Sequence, residues 1–434
     1  MTLLSEASLT SKQITAIDRL AKYKHTILVA STGEGKTIMC LTAIQRVIKA
    51  GKIKRVIVAC PAKVVGVWPT EPGKWAHTVY MGVTVLQGTA AQREKALRQS
   101  TSNVIVISLN NLDWLLRQKH GANGIIIDEL SKAAGKQTKG LKTVKRGDCF
   151  IWRIGMTATP VSQDWQKVYA ICRIVDKGKA LGTNQSEYLT KYFDSDYMGY
   201  NFTLKDGADK RIAARIKKLV HLVEDTKEAD LPKLHHHTIT FDMPADTRLV
   251  YDEMRRHMVV GEVEAVNAAV RDGKMRQLSS GFLYNEDKSV QCLDGARRDA
   301  AVDWWIDNGK PTCVIFYEFV AQGDKLKRVF KRYLAADVDA FKAGKGTVLI
   351  AQISSLSHGV DGLQKVASHG LMYHPMWSRD ASEQAQGRLW RTGATEEVHI
   401  TTLVCDDTLD QLVELRVEDR AEWMRLFTQH LGGA

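Results

Sequence analysis

The run Gly33-Glu34-Gly35-Lys36-Thr37 constrains this 434-residue chain more than any other stretch. It follows an apolar, β-branched segment, His25 to Ala30. It opens a segment whose apolar positions Met39, Leu41, Ala43, Ile44, Val47 and Ile48 suit a helix. Strand, glycine loop and helix in that order form a phosphate cradle. Glycines let backbone N–H groups approach phosphate oxygens, a lysine reaches the β- and γ-phosphates, a threonine hydroxyl holds Mg²⁺, and the helix N-terminus adds positive potential. The nucleotide-binding candidates are therefore Thr32, Gly33, Glu34, Gly35, Lys36 and Thr37, with ATP and Mg²⁺ as the implied ligands. The general pattern begins with glycine, and this chain has Ala30 in that place.

A second carboxylate-bearing run, Gly124-Ile-Ile-Ile-Asp128-Glu129, reads as a buried strand ending in two adjacent acids. Strand alternation would turn the two side chains to opposite sides. Asp128 would then face the Mg²⁺, while Glu129 would orient and deprotonate an attacking water. Further on, a strand from Phe150 to Gly155 leads into Met156-Thr157-Ala158-Thr159-Pro160. Near the end comes Gln384-Ala385-Gln386-Gly387-Arg388-Leu389-Trp390-Arg391. Its two arginines, three apart, would share a helix face. Their planar, permanently charged forks suit phosphate oxygens on which charge develops.

Composition narrows the partners. Hydrophobic content is 44% and charged content 25%, ordinary for a globular chain of two or three domains. The net charge of +12 favours a polyanion. No 18-residue apolar run suggests a membrane span, and the N-terminus shows no secretory pattern. Seven scattered cysteines form no C-x-x-C pair and read as reduced thiols of a cytoplasmic protein. His235-His236-His237 invites a metal reading, but alternation in the following residues indicates a strand start. No carboxylate or cysteine lies at ligand spacing, so the metal reading is rejected. Lys132 to Arg146 holds six basic residues and no acid, compatible with a solvated loop and with a phosphate-contacting patch. The aromatics between Tyr188 and Phe202 could stack on bases, though packing of a lobe's edge is favoured.

Taken as A-x-x-G-x-G-K-T, the first run resembles motif I of superfamily 2 helicases and translocases. The Asp-Glu pair resembles motif II, Thr-Ala-Thr-Pro motif III and the arginine run motif VI, all in family order. Cys60-Pro61 followed by Trp68-x-x-Glu71, the segment Met275-Arg276-Gln277-Leu278 and the segment Pro375-Met376-Trp377-Ser378 resemble the Swi/Snf-like group. Ser355 to Gln364 approximates motif V.

The resemblance implies an α/β fold of two tandem RecA-like P-loop lobes with mostly parallel sheets, over 1–230 and 231–434, with ATP in the cleft between them. It implies that Gln13 recognises adenine through its amide donor and acceptor. Arg388 and Arg391 would complete the ATP site, and Thr157, Thr159 and Gln384 would couple the nucleotide to motion. Lys63, Ser108, Lys139, Lys142 and Gly359 would contact nucleic acid. Relatives commonly have Ala-His after the acidic pair, where this chain has Leu130-Ser131. The implied function is a DNA-dependent ATPase that translocates on, remodels or unwinds DNA at forks or recombination intermediates. An RNA helicase and a non-hydrolysing nucleic-acid scaffold are the alternatives. Size and resemblance suggest a monomeric, phage-encoded engine in the bacterial host cytoplasm, working beside replication, recombination or nuclease proteins.

Overall fold

The computed structural model describes residues 3–31, 33–136, 149–158, 160, 165–196, 202–223, 231–257, 259–260, 263–264, 268–353, 362–376, 379–391, 393–415 and 429. The chain divides into two compact units, the first over Met1–Asp225 and the second over Thr226–Asp419.

Among the described residues the first unit holds nine strands: β1 (His25–Val29), β2 (Val56–Cys60), β3 (Val83–Leu86), β4 (Val104–Ser108), β5 (Gly124–Ile127), β6 (Trp152–Thr157), β7 (Phe193–Ser195), β8 (Phe202–Leu204) and β9 (Val220–Leu222). Seven of them form one sheet in the order β3-β4-β2-β5-β6-β1-β9. Every pairing in that sheet is parallel. β7 and β8 make a separate hairpin. The central strands are near-continuous runs of Val and Ile because both faces are covered, as parallel sheets require. Along β1, Ile27 and Val29 enter one hydrophobic core while Leu28 and Ala30 enter the other.

The second unit holds β10 (Leu234–Phe241), β11 (Val259–Val260), β12 (Val263–Glu264), β13 (Phe282–Tyr284), β14 (Val290–Cys292), β15 (Cys313–Tyr317), β16 (Val348–Gln352), β17 (His369–Met372) and β18 (Val398–Cys405). Its sheet runs β10-β18-β17-β15-β16, again all parallel. Two antiparallel hairpins, β11–β12 and β13–β14, stand apart from it. A buried ion pair fastens this unit. Arg297 and Asp410, each 1% exposed, bond to one another. The same guanidinium donates to the carbonyls of Ser279, Tyr373 and Leu403.

Three expectations shift. The sequence reads as a basic helix near Arg211 to Leu222, but the helix stops at Ile216, and residues 220–222 form β9 against β1. The sequence also reads as one helix over Ala245 to Val270, and in the structure it is interrupted. Helix Ala245–His257 is followed by the β11–β12 hairpin and then helix Ala268–Leu278. The acidic pair lies just beyond β5, which ends at Ile127. The tail expected to be helical is described to Leu415.

Candidate nucleotide site

β1 ends beneath the glycine loop, and helix Lys36–Lys49 begins directly after it. Gly33 and Gly35 have φ of +89° and +79°, in the left-handed region open chiefly to glycine. At Gly35 space is also short, because a Cβ would lie 2.8 Å from the Gln13 Nε2. Gln13 holds the loop from the helix Ser11–Lys22. Its Nε2 donates to the Glu34 carbonyl at 2.9 Å, and its Oε1 accepts from the Thr10 N–H at 2.9 Å as part of a capping box. In this conformation one end of the amide fixes the loop and the other caps its own helix, roles that the sequence expectation of adenine recognition did not include. Lys36 Nζ donates to the Ala30 and Ser31 carbonyls at 2.8 and 3.1 Å. Thr37 is half-buried in the helix's first turn.

Asp128 and Lys36 are brought together. Asp128 is 7% exposed, and burial followed by the neighbouring Glu129 pushes its carboxyl up to about 6, while Lys36 draws it down. The indole of Trp68, fully buried, also favours the ionised carboxyl, although its N–H makes no hydrogen bond of ordinary geometry among the described residues. Trp68 belongs to the Trp-x-x-Glu segment, which its sequence pattern does not connect with this carboxylate. Glu129 has φ of +55°, uncommon for a side chain with a Cβ. Its carbonyl accepts from the Lys132 N–H at 2.9 Å and starts the helix Leu130–Lys136. The two carboxylates are therefore separated by a left-handed turn and not by strand alternation.

The two residues that replace Ala-His each have a place. Leu130 is fully buried over Gly155, where a Cβ would stand 2.3 Å from Leu130 Cδ2. Ser131 faces motif III, and Thr157 Oγ1 donates to Ser131 Oγ at 3.4 Å. Thr157 is itself 1% exposed at the end of β6. A hydroxyl pair thus joins the acidic loop to the Thr-Ala-Thr-Pro segment.

Lys63 is exposed just past the end of β2. Ser108 is buried, and its hydroxyl accepts from Asn111 Nδ2 at 2.9 Å, so it fixes its own loop instead of facing a polyanion. Tyr188 and Tyr192 pack with Phe193 in the core, as the packing reading expected. Thr32, Lys139, Lys142, Thr159 and Gly359 lie outside the described residues.

In the second unit, Gln384 is half-buried in helix Arg379–Gln386. That helix ends before the arginines, which lie in the turns that follow, so they do not share a helix face. Two anchors hold the turns. Leu389 is fully buried against Gly370, where a Cβ would come within 2.9 Å of it, and Trp390 Nε1 donates to the Pro232 carbonyl at 2.7 Å. Arg388 is 7% exposed and Arg391 half-buried. Arg276, on helix Ala268–Leu278, joins the ends of β15 and β17. It bonds to both oxygens of Glu318 at 3.1 and 2.7 Å, to His374 Nδ1 at 2.8 Å and to the Pro375 carbonyl at 3.1 Å. Burial and this guanidinium keep His374 well below the usual histidine range.

The donors around Lys36 fit Mg²⁺ with a nucleotide. A hydroxyl and one carboxylate are the few hard oxygen ligands that Mg²⁺ takes when phosphates and water supply the rest. The loop's left-handed turn at Gly35 favours glycine, whose missing Cβ also leaves room for Gln13 Nε2.

The chain belongs to the SNF2-related domain family, whose pattern matches residues 13–294, and is a Swi/Snf-like ATPase of superfamily 2. It is 25% identical over 437 residues to protein p41 of the Acyrthosiphon pisum secondary endosymbiont phage 1, covering 93% of this chain and 95% of that protein. It is 20% identical to YwqA of Bacillus subtilis, over 91% of this chain and 45% of YwqA. It is 24% identical to the DNA repair and recombination protein RAD54B of Gallus gallus, over 90% of this chain and 50% of RAD54B. The chain thus spans about half the length of the last two. Among solved structures it is similar to the Sulfolobus solfataricus SWI2/SNF2 ATPase core in complex with dsDNA, at 18% identity and a TM-score of 0.47, covering 99% and 95% of the two chains. Among the described residues, no helix is long and apolar enough to cross a membrane.

Proposed function

We propose that this chain is a DNA-dependent ATPase that couples ATP hydrolysis to translocation on, or remodelling of, DNA. The observation that carries the reading is the buried Asp128 held within the field of Lys36, beside a loop whose left-handed turns at Gly33 and Gly35 favour glycine. Lys36 neutralises the β- and γ-phosphates, with Gly33 to Gly35 and the helix N-terminus supplying N–H donors. Thr37 and Asp128 would hold Mg²⁺, which neutralises charge on the phosphates. Glu129 orients water and takes its proton, and Arg388 and Arg391 stabilise charge on the γ-phosphate. Ser131 and Thr157 pass the state of the acidic loop to the end of β6. Phosphate-backbone contacts supply affinity for DNA, consistent with the net charge of +12. The relatives concerned with DNA repair, and the phage relative, support work at recombination intermediates in a phage-infected cell.

Displacement of a third strand from a DNA triplex tests this. ATP should drive displacement by the wild-type protein, and Glu129→Gln should abolish it. Displacement that proceeds equally without ATP would remove the motor reading.

A further inference from the structure

Sequence spacing gives His235-His236-His237 no carboxylate partner, but the parallel pairing of β10 with β18 supplies one. In that register His235 lies opposite His399, and β17 places His369 opposite His399 as well. Side chains two apart on a strand share a face. His235 and His237 on β10 therefore stand beside His399 and the preceding Glu397 on the neighbouring chain segment. The contacts are close. His235 Nε2 lies 2.9 Å from Glu397 Oε2, and His237 Nε2 lies 3.2 Å from His399 Nδ1. The rings of His235 and His399 stack at 4.8 Å, and those of His369 and His399 at 5.0 Å. One ligand atom each from His235, Glu397 and His399 all fall within 4.8 Å of one another.

We propose that this cluster is a binding site for a divalent ion of the zinc class, ligated by His235, Glu397 and His399, with His237 or water in the fourth position. Two imidazoles and one carboxylate are the donor set that Zn²⁺ takes in three-ligand sites. Ligand atoms sit about 2 Å from such an ion, hence roughly 3.3 Å apart in a tetrahedron, a closure that side-chain rotation supplies from the present spacing. Mg²⁺ is excluded by its preference for oxygen donors, which separates this site from the one at Thr37 and Asp128. Within the second unit the cluster also lies apart from the Arg276–Glu318 contact. His235, His369 and His399 occupy the first two residues of their strands, whereas Arg276 and Glu318 gather at the strands' C-terminal ends. The consequence is mechanical. Among the described residues β10 is an edge strand paired with β18, and an ion shared between Glu397, His399 and His235 would tie that edge to the sheet.

The test uses the full chain, stripped with EDTA, dialysed and titrated with Zn²⁺ against a chromophoric indicator, then with Co²⁺ followed by absorption. One equivalent of Zn²⁺ should bind. Co²⁺ should give the visible bands of a nitrogen and oxygen site without thiolate charge transfer, which excludes the seven cysteines as ligands. His235→Gln and His399→Gln should each weaken binding roughly tenfold or more. Zn²⁺ should raise the thermal unfolding midpoint of the wild type and not of these variants. Should either histidine variant fail to fold by circular dichroism in EDTA, Glu397→Gln, whose side chain is 54% exposed, carries the comparison. Absence of Zn²⁺ binding, a thiolate spectrum, or affinity unchanged in the folded variants would overturn the proposal.

Discussion

Glu129 stands at φ of +55° between a strand and a helix, and its neighbour Asp128 is buried. The strain and the burial make different predictions for the two acids. Glu129→Gln keeps shape and backbone, so ATP should still bind while turnover falls by about 10²–10⁴-fold, the usual worth of a general base. Equilibrium binding of a fluorescent ATP analogue and steady-state turnover separate the two effects. Lys36→Ala should lose binding and turnover together. Ser131→Ala removes the hydroxyl that meets Thr157 at 3.4 Å and should lower nucleic-acid-stimulated turnover several-fold with the KM for ATP unchanged. An equal fall in basal turnover would count against a coupling role. At this scale the glycine loop was legible, because the left-handed turns at Gly33 and Gly35 and the helix that begins at Lys36 follow from local spacing. Trp68 beside Asp128 was not, because the two meet only after β2 and β5 pair in the sheet.

At the scale of elements, packing gives the sharpest expectations. Removing one member of the buried Arg297–Asp410 pair leaves an unpaired charge among carbonyls. Arg297→Met should therefore cost about 3–5 kcal/mol in urea unfolding of the second unit. Gly155→Ala inserts a methyl group against Leu130 and Val175 and should cost roughly 1–3 kcal/mol. His25, at the start of β1, is held down to about 4, first by burial and then by Lys179, Arg153, Lys177 and Lys24. Its unfolded form binds protons more readily, with a pKa near 6.5, so the neutral native state loses stability as pH falls from about 6.5 to 4. His25→Gln should flatten that limb relative to wild type, and parallel stability curves would contradict the assignment. Sequence pattern located β1, β5 and β6 because each is dominated by apolar residues. It missed β9, three residues long and defined by pairing with β1. It overran the helix ending at His257, where the break lies in a hairpin that no Gly or Pro signals at its start.

For the whole molecule, two parallel sheets in tandem were readable from strand–helix alternation and from the order of the motifs. The histidine cluster was not, since its partners are 162 residues apart and adjoin only through the β10–β18 register. A basic molecule that holds DNA by its phosphates should bind more weakly as salt rises, with log affinity falling linearly in log salt. A fluorescence-anisotropy series across salt concentrations checks this, and salt-independent affinity would point to base recognition instead. The most direct measurement is steady-state ATP turnover at one low salt concentration, without nucleic acid and with single-stranded, duplex and forked DNA and duplex RNA. The account predicts strong stimulation by duplex or forked DNA, lost in Lys36→Ala. Turnover stimulated by RNA alone, or unaffected by any nucleic acid, would contradict it.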